Sequence, residues 1–154
     1  MQNFPHLESQ NNVPGYDTFY FANAATIGAL TIKSSVVSTA PSMGGAVFYE
    51  GYSTKNKLDL KIQPKETDEG FHYEVTLSGS MPKHKSEILD LFEEMINLYH
   101  NVIVRDNNGK YVYIGGAAQL GMSFTYQPTD SGYDFEFSCV QKFAPPFYTA
   151  SIPT

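Results

Sequence analysis

Tryptophan is absent from this 154-residue chain, cysteine occurs once, and ten Lys and Arg stand against sixteen Asp and Glu. Each shortage excludes something. A single cysteine, Cys139, cannot close an internal disulfide, and inside the run FEFSCV it reads as a small apolar strand residue with no basic neighbour in sequence to activate it. A net charge of -6 works against tight binding of a phosphate backbone, which rests on local basic clusters. The densest basic group, Lys83, His84 and Lys85, is too short for such a footprint and reads as a solvated helix entrance. No apolar run approaches the roughly 18 to 20 residues of a membrane span. The start MQNFPHLESQNN also lacks a basic region followed by an apolar one, so the expectation is a chain made and kept in the cytoplasm with no membrane partner.

What the chain does hold is aromatic: 11 Tyr and 11 Phe, residue types that favour half-buried pleated surfaces and contacts between chains. A chain of this length fits one domain that buries ~70% of its unfolded surface. The first fifteen residues, MQNFPHLESQNNVPG, are polar, carry two prolines and have no period, and are expected to form an extended arm. Residues 16–142 are expected to form the β-rich domain, and FAPPFYTASIPT, 143–154, an extended tail. Within the domain, short β-prone runs at Phe19 to Phe21, Leu30 to Lys33 and Ala46 to Tyr49 alternate with small residues. The stretch 34–45 reads as a long loop or weak hairpin that needs another subunit to hold it.

From Lys57 the alternation sharpens. KLDLKI places Leu58, Leu60 and Ile62 on one face; PKETDEG reads as a polar connection; FHYEVTLSG then turns Phe71, Tyr73, Val75 and Leu77 inward, with His72, Glu74 and Thr76 outward. A helix over about 86–99 follows, with Ile88, Phe92, Met95 and Tyr99 in one stripe, widened by Leu89, Leu91, Ile96 and Leu98. Ser86 is its expected N-cap. The stripe is expected to pack on a sheet containing both Phe71 to Leu77 and Val102 to Arg105. NVIVRD and KYVYIG make one further hairpin and GMSFTYQ and GYDFEFSCV another, the latter with Met122, Phe124 and Tyr126 facing Tyr133, Phe135, Phe137 and Cys139. The fold class is therefore α+β, mainly β: an antiparallel sandwich or barrel with one packed helix.

Candidate sites fail on spacing. Asp106, Asn107, Asn108 and Gly109 are rich in oxygen, but an EF-hand loop needs Gly at its sixth position and an acid at its twelfth, where this chain has Ala117. The loop reads as a hairpin turn. His6, His72, His84 and His100 are scattered, with no pair at ligand spacing, and His100 is better used against the last carbonyls of the helix. Glu93 and Glu94 diverge by about 100° around the helix, which defeats paired-carboxylate chemistry and leaves them on a solvated face. Gly44 with Gly45, and Gly115 with Gly116, lack the context of a phosphate cradle. No catalytic, cofactor-binding or metal residue is assigned, and no cofactor is expected.

The stretches KSEILDLFEEMINLYHNVIVRDNNGKYVYIGG and GMSFTYQPTDSGYDFEFS, with the ending FAPPFY, resemble small β-rich proteins of tailed-phage virions of Bacteroides-like bacteria. Tail-tube, tail-terminator and head-to-tail connector subunits share this layout over roughly residues 56–148. The resemblance implies a non-catalytic structural protein of the virion, made in the host cytoplasm. Its partners would be copies of itself in a ring and other tail or neck proteins, with DNA only as non-specific passing cargo. A carbohydrate- or protein-binding β-sandwich is the alternative.

Overall fold

The computed structural model describes residues 14–116 and 121–154; the arm up to residue 13 lies outside them. Ten strands appear among these residues: β1 Tyr16–Asn23, β2 Val36–Val37, β3 Tyr49–Glu50, β4 Asp59–Thr67, β5 Gly70–Pro82, β6 His100–Asp106, β7 Tyr111–Ile114, β8 Ser123–Pro128, β9 Gly132–Gln141 and β10 Phe147–Tyr148. One α-helix, α1 (Ser86–Ile96), joins β5 to β6, and a short 3-10 turn, Ala24–Thr26, follows β1. The strands form two sheets, one ordered β2-β10-β7-β6-β1-β3 and the other β4-β5-β9-β8. This is the mainly β, sandwich-like α+β fold expected from the alternation.

The reason for two layers is visible in the side chains that meet between them. Phe19, Val102, Val104 and Ile114 of the first sheet face Leu60, Val75, Leu77, Phe124, Phe135 and Phe137 of the second, all buried. Period-2 alternation on each strand gives one apolar face per sheet, and pairing the two faces removes both from water. Phe137 is fully buried and its ring lies within 6.4 Å of those of Phe19, Phe21, Phe124, Phe135 and His100.

Several expectations change in detail. The β4–β5 hairpin does not end at Ile62: pairing runs on through Pro64 with Tyr73 and Glu66 with Phe71 to Thr67 with Gly70, so most of PKETDEG is strand and the turn is Asp68 and Glu69. Pro64 is tolerated because β4 is an edge strand. Helix α1 stops at Ile96, and Asn97 donates its side-chain Nδ2 back to the Glu93 carbonyl. Its N-cap is Lys85, in extended conformation and without a side-chain cap bond; Ser86 is the first helical residue. Phe92 and Met95 are buried while Tyr99 is exposed, because the chain has left the helix before Tyr99. Phe71 to Leu77 and Val102 to Arg105 lie in different sheets. Phe92 instead packs among Phe124, Tyr126, Tyr133 and Phe135 of β8 and β9.

The N-terminal third and the tail change most. Phe19 to Phe21 grows into the eight-residue β1, bonded to β6 with Tyr20 opposite Ile103. Leu30 to Lys33 forms no strand beyond a bridge from Lys33 to Val36, closed by Ser34 and Ser35 at positive φ. The 34–45 loop and the tail hold each other: β10 runs parallel to β2 and antiparallel to β7, and Phe48 N donates to the Pro153 carbonyl at 2.7 Å. Ala22, Val37, Met43, Phe48, Ile103, Tyr113 and Tyr148 form a second core on the outer face of the first sheet. His100 to Val104 is therefore buried at every position, as in a strand covered on both faces. Neither the loop nor the tail needs a neighbouring subunit for its order, contrary to the expectation from composition. The β2–β10 pair also makes the first sheet mixed rather than purely antiparallel.

Truncating Phe92 to Ala is expected to cost about 3 to 5 kcal/mol in urea unfolding, the range for deleting a buried aromatic ring. Leu89→Ala, on the exposed side of the same helix, is expected to cost less than about 1 kcal/mol. Equal losses from the two would mean that the helix does not pack chiefly through its Phe92 face.

Candidate assembly interface

Among the described residues, the three histidines are kept apart by the fold. His72 lies opposite Lys65 on the β4–β5 hairpin. His84 Nε2 is 2.7 Å from the Thr129 carbonyl, and its ring meets Tyr133 edge-on. His100 opens β6 inside the core, while His6 lies outside the described residues. No group of three or more His, Cys, Asp or Glu among the described residues is placed to hold a metal ion. Burial pushes the Cys139 thiol up to about 11, away from thiolate chemistry at neutral pH.

The Asp106 loop is a turn closed by one of its own carboxylate oxygens. Asp106 Oδ1 accepts from the backbone N–H of Asn108 at 2.9 Å and of Lys110 at 2.8 Å, and Gly109 adopts φ 80°. This side-chain closure of β6 onto β7 is the ordinary use of Asp in a turn. Glu93 lies on the exposed face expected for it and there accepts a hydrogen bond from the Tyr126 hydroxyl, tying α1 to β8 and raising the pKa of that phenol. Gly115 is needed for close approach. At φ 98°, a Cβ there would fall 2.8 Å from Asn101 Oδ1, and its N–H donates to Gln141 Oε1, linking the sheets at the end of β9.

His100 has a structural task. Its Nε2 lies 3.0 Å from the Met95 carbonyl and must donate to it, so Nδ1 carries no proton; Nδ1 is buried and without a partner. Burial lowers its pKa more than the bond to Met95 raises it. The use of helix-end carbonyls anticipated for this residue is what the structure shows.

The first large cleft, about 470 Å³, is neutral and lined by Asn23, Asn97, Tyr99, Asn101 and the backbone of Gly28, Gly115, Gly116 and Gly121. Among its described lining residues there is no carboxylate, amine, imidazole or thiol, and Tyr99 is the one ionisable side chain.

The most distinctive surface is apolar. β9 ends at Gln141, opposite Tyr73, and β5 continues as Gly70 to His72 paired only with β4. Alternation keeps Ile62, Tyr73 and Phe71 on the inner face of the second sheet, with Leu60 and Leu77. The cover stops short of the end: Tyr73 still packs against the core, while Phe71 is 60% and Ile62 39% exposed. Val140, paired with Glu74 on the opposite face of the sheet, and Phe143, just after β9, are 56% and 67% exposed. The inward placement of Phe71 was thus right about the face and wrong about its burial, because alternation reports direction and not the extent of the opposing layer. The outer edge of β4 has no strand partner among the described residues. An uncovered apolar sheet end beside an unpaired edge is what a binding surface presents.

No family model, curated protein or solved structure matches this chain. No described helix is long and apolar enough to cross a membrane.

Two outcomes follow from these geometries. Replacing Asp106 with Ala removes two hydrogen bonds at an exposed turn and is expected to lower stability by about 1 kcal/mol. For His100 the folded pKa lies below the ordinary value of 6.5, so between that value and the folded pKa the unfolded chain binds more protons. Its contribution therefore lowers stability as pH falls from about 6.5 towards the folded pKa, and is flat above and below that window. Urea midpoints of His100→Gln, measured from pH 7 to pH 4.5, are expected to fall less steeply than those of the parent; parallel curves would remove His100 as the cause.

Proposed function

We propose that this chain is a non-catalytic structural subunit of a tailed-phage virion that assembles with copies of itself into a ring or tube, in the tail or the head-to-tail connector. The observation that carries this reading is the apolar end of the second sheet, where Ile62 and Phe71 stand exposed on its inner face beside the free edge of β4. A contact that uses such a surface against a different surface of the next copy is heterologous and repeats around a ring or along a tube. The separation of His, Cys and acidic residues supports a role without chemistry. The net charge of -6 suits a conduit that passes DNA without holding its phosphates.

A second reading has its own observation. The neutral cleft lined by Asn23, Asn97 and Asn101 beside the exposed ring of Tyr99 is suited to hydrogen bonding and stacking with a sugar, as a carbohydrate-binding sandwich would use it.

Light scattering of the purified protein with rising concentration is expected to show a defined oligomer. Ile62→Glu combined with Phe71→Glu is expected to give a monomer whose thermal unfolding is nearly unchanged, since both sites are exposed. Mass spectrometry of purified phage particles is expected to find the chain in multiple copies. A protein that stays monomeric at all concentrations and is missing from particles would remove this reading, and chemical-shift changes confined to the Tyr99 cleft on adding oligosaccharide would install the second.

A further inference from the structure

The neutral cleft of about 470 Å³ lies where the end of β1, the end of α1 and the start of β6 meet. Asn23 closes β1 opposite His100, and the Ala24 N–H donates to the Tyr99 carbonyl at 2.8 Å. Two side-chain amides on its wall are each held by a bond that fixes which end is which. The Ala25 backbone N–H can only donate, so the Asn23 atom it meets at 3.0 Å is Oδ1, and Nδ2 of Asn23 stays available as a donor. The Glu93 backbone carbonyl can only accept, so the Asn97 atom that meets it at 3.1 Å is Nδ2, and Oδ1 of Asn97 stays available as an acceptor. Neither amide can turn over without losing its own bond. The wall therefore offers one donor and one acceptor of settled identity.

The most buried polar side chain of the cleft adds an independent observation. Asn101 is 5% exposed; its Nδ2 donates to the Tyr113 hydroxyl at 3.0 Å, and its Oδ1 has no partner. Gly115 and Gly121 flank that oxygen, where a Cβ would stand 2.8 and 3.3 Å from it. A buried acceptor without a donor costs stability, and a donor brought by a ligand would recover it.

We infer that this cleft binds a neutral sugar through its hydroxyls, one donating to Asn97 Oδ1 and another accepting from Asn23 Nδ2, with the sugar ring laid against Tyr99. The inference rests on the sugar-binding reading of the cleft, is independent of self-assembly, and names the groups that are recognised. A hydroxyl both donates and accepts, so a polyol matches a donor, an acceptor and the unpaired Asn101 Oδ1 together. A carboxylate, phosphate or ammonium group would find no opposite charge among the described lining residues, and burying a charge unpaired is expensive. Tyr99, 46% exposed, offers the apolar ring that the C–H face of a pyranose covers. The volume falls within the range of small-molecule sites.

Amide chemical shifts of the isotope-labelled protein test the assignment. The probes are maltotriose, cellotriose and mannotriose, with trigalacturonate as the charged control and acetyl-triglycine amide as the peptide control. The expected result is saturable shifts at Gly28, Asn97, Tyr99 and Gly121 with at least one of the neutral sugars, and none with either control. The per-O-methylated form of the sugar that binds can accept but not donate, and is expected to bind at least about tenfold more weakly, as is the parent sugar to Asn97→Ala. Tyr99→Ala is expected to lose about tenfold in affinity and Tyr99→Phe to keep most of it. Asn97 and Tyr99 are exposed, so these variants should melt close to the parent. Undiminished affinity of the methylated sugar, or of Asn97→Ala for the parent sugar, overturns the pairing of hydroxyls with these amides and leaves the sugar-binding cleft standing. Shifts caused by trigalacturonate or by the peptide overturn the restriction to neutral sugars. No shift from any neutral probe at about 10 mM, a concentration that reveals even millimolar affinity, overturns both this inference and the reading beneath it.

Discussion

The aromatic layer around Phe137 is the constraint on which the other elements depend. Its ring meets Phe19 and Phe21 from one sheet, Phe124 and Phe135 from its own, and His100 at the start of β6. Aromatic pairs at these separations add about 0.5 to 1.5 kcal/mol each beyond the area they bury, and they fix the spacing of the two layers. Helix α1 enters through the same layer, since Phe92 packs against Phe124 and Phe135. His100 then closes the helix by its bond to the Met95 carbonyl and starts β6 in register with Met122. One packed region thus positions both sheets, the helix and the chain reversal between them.

That region also explains where packing stops. The ten-residue β9 sets the length over which the second sheet is three strands wide or more, and the hairpin of β4 and β5 outruns it. At that end, apolar side chains continue on the inner face after the opposing sheet has ended. At the other end, the rings that hold α1 leave a gap against β3 that no described side chain fills. An excess of apolar surface at one end and a shortage of filling at the other are two consequences of one mismatch in length between the layers.

Much of this was legible in the sequence, and the boundary of legibility is physical. Alternation from Leu58 onward identified the strands of both hairpins of the second sheet and of β6 and β7, and heptad-like spacing identified α1 through Phe92 and Met95. These are local signals, imposed by periodicity. The pairing of β10 with β2 was not legible, because FAPPFY and VV are too short to show a period, and only the cover they give Ile103 and Tyr113 makes them strands. The long loop and proline-rich tail looked unable to order alone; each is ordered by the other across about 110 residues of sequence, a relation that composition does not carry. Phe71 was read as core because alternation cannot see whether a second layer lies above it.

The site shows the same division more sharply. The candidate chemical groups were weighed on spacing alone, and of the described histidines His72 lies on β5, His84 before α1 and His100 on β6. Surfaces for association depend instead on the difference between a residue's direction and its burial. Phe71 and Leu91 are both apolar, both regularly spaced and both exposed, and nothing in their local sequence distinguishes them from Leu77 or Phe92, which are buried. The one sequence sign that sets Phe71 apart is across the ladder: its register partner is Glu66, a charge on the inner face, where Leu77 has Leu60 and Val75 has Ile62. A carboxylate directly beside a ring on the face reserved for core is incompatible with a dry interior unless it is paired. Cross-strand partners, rather than single-strand periodicity, therefore mark the point at which the core of this sheet ends and its surface begins.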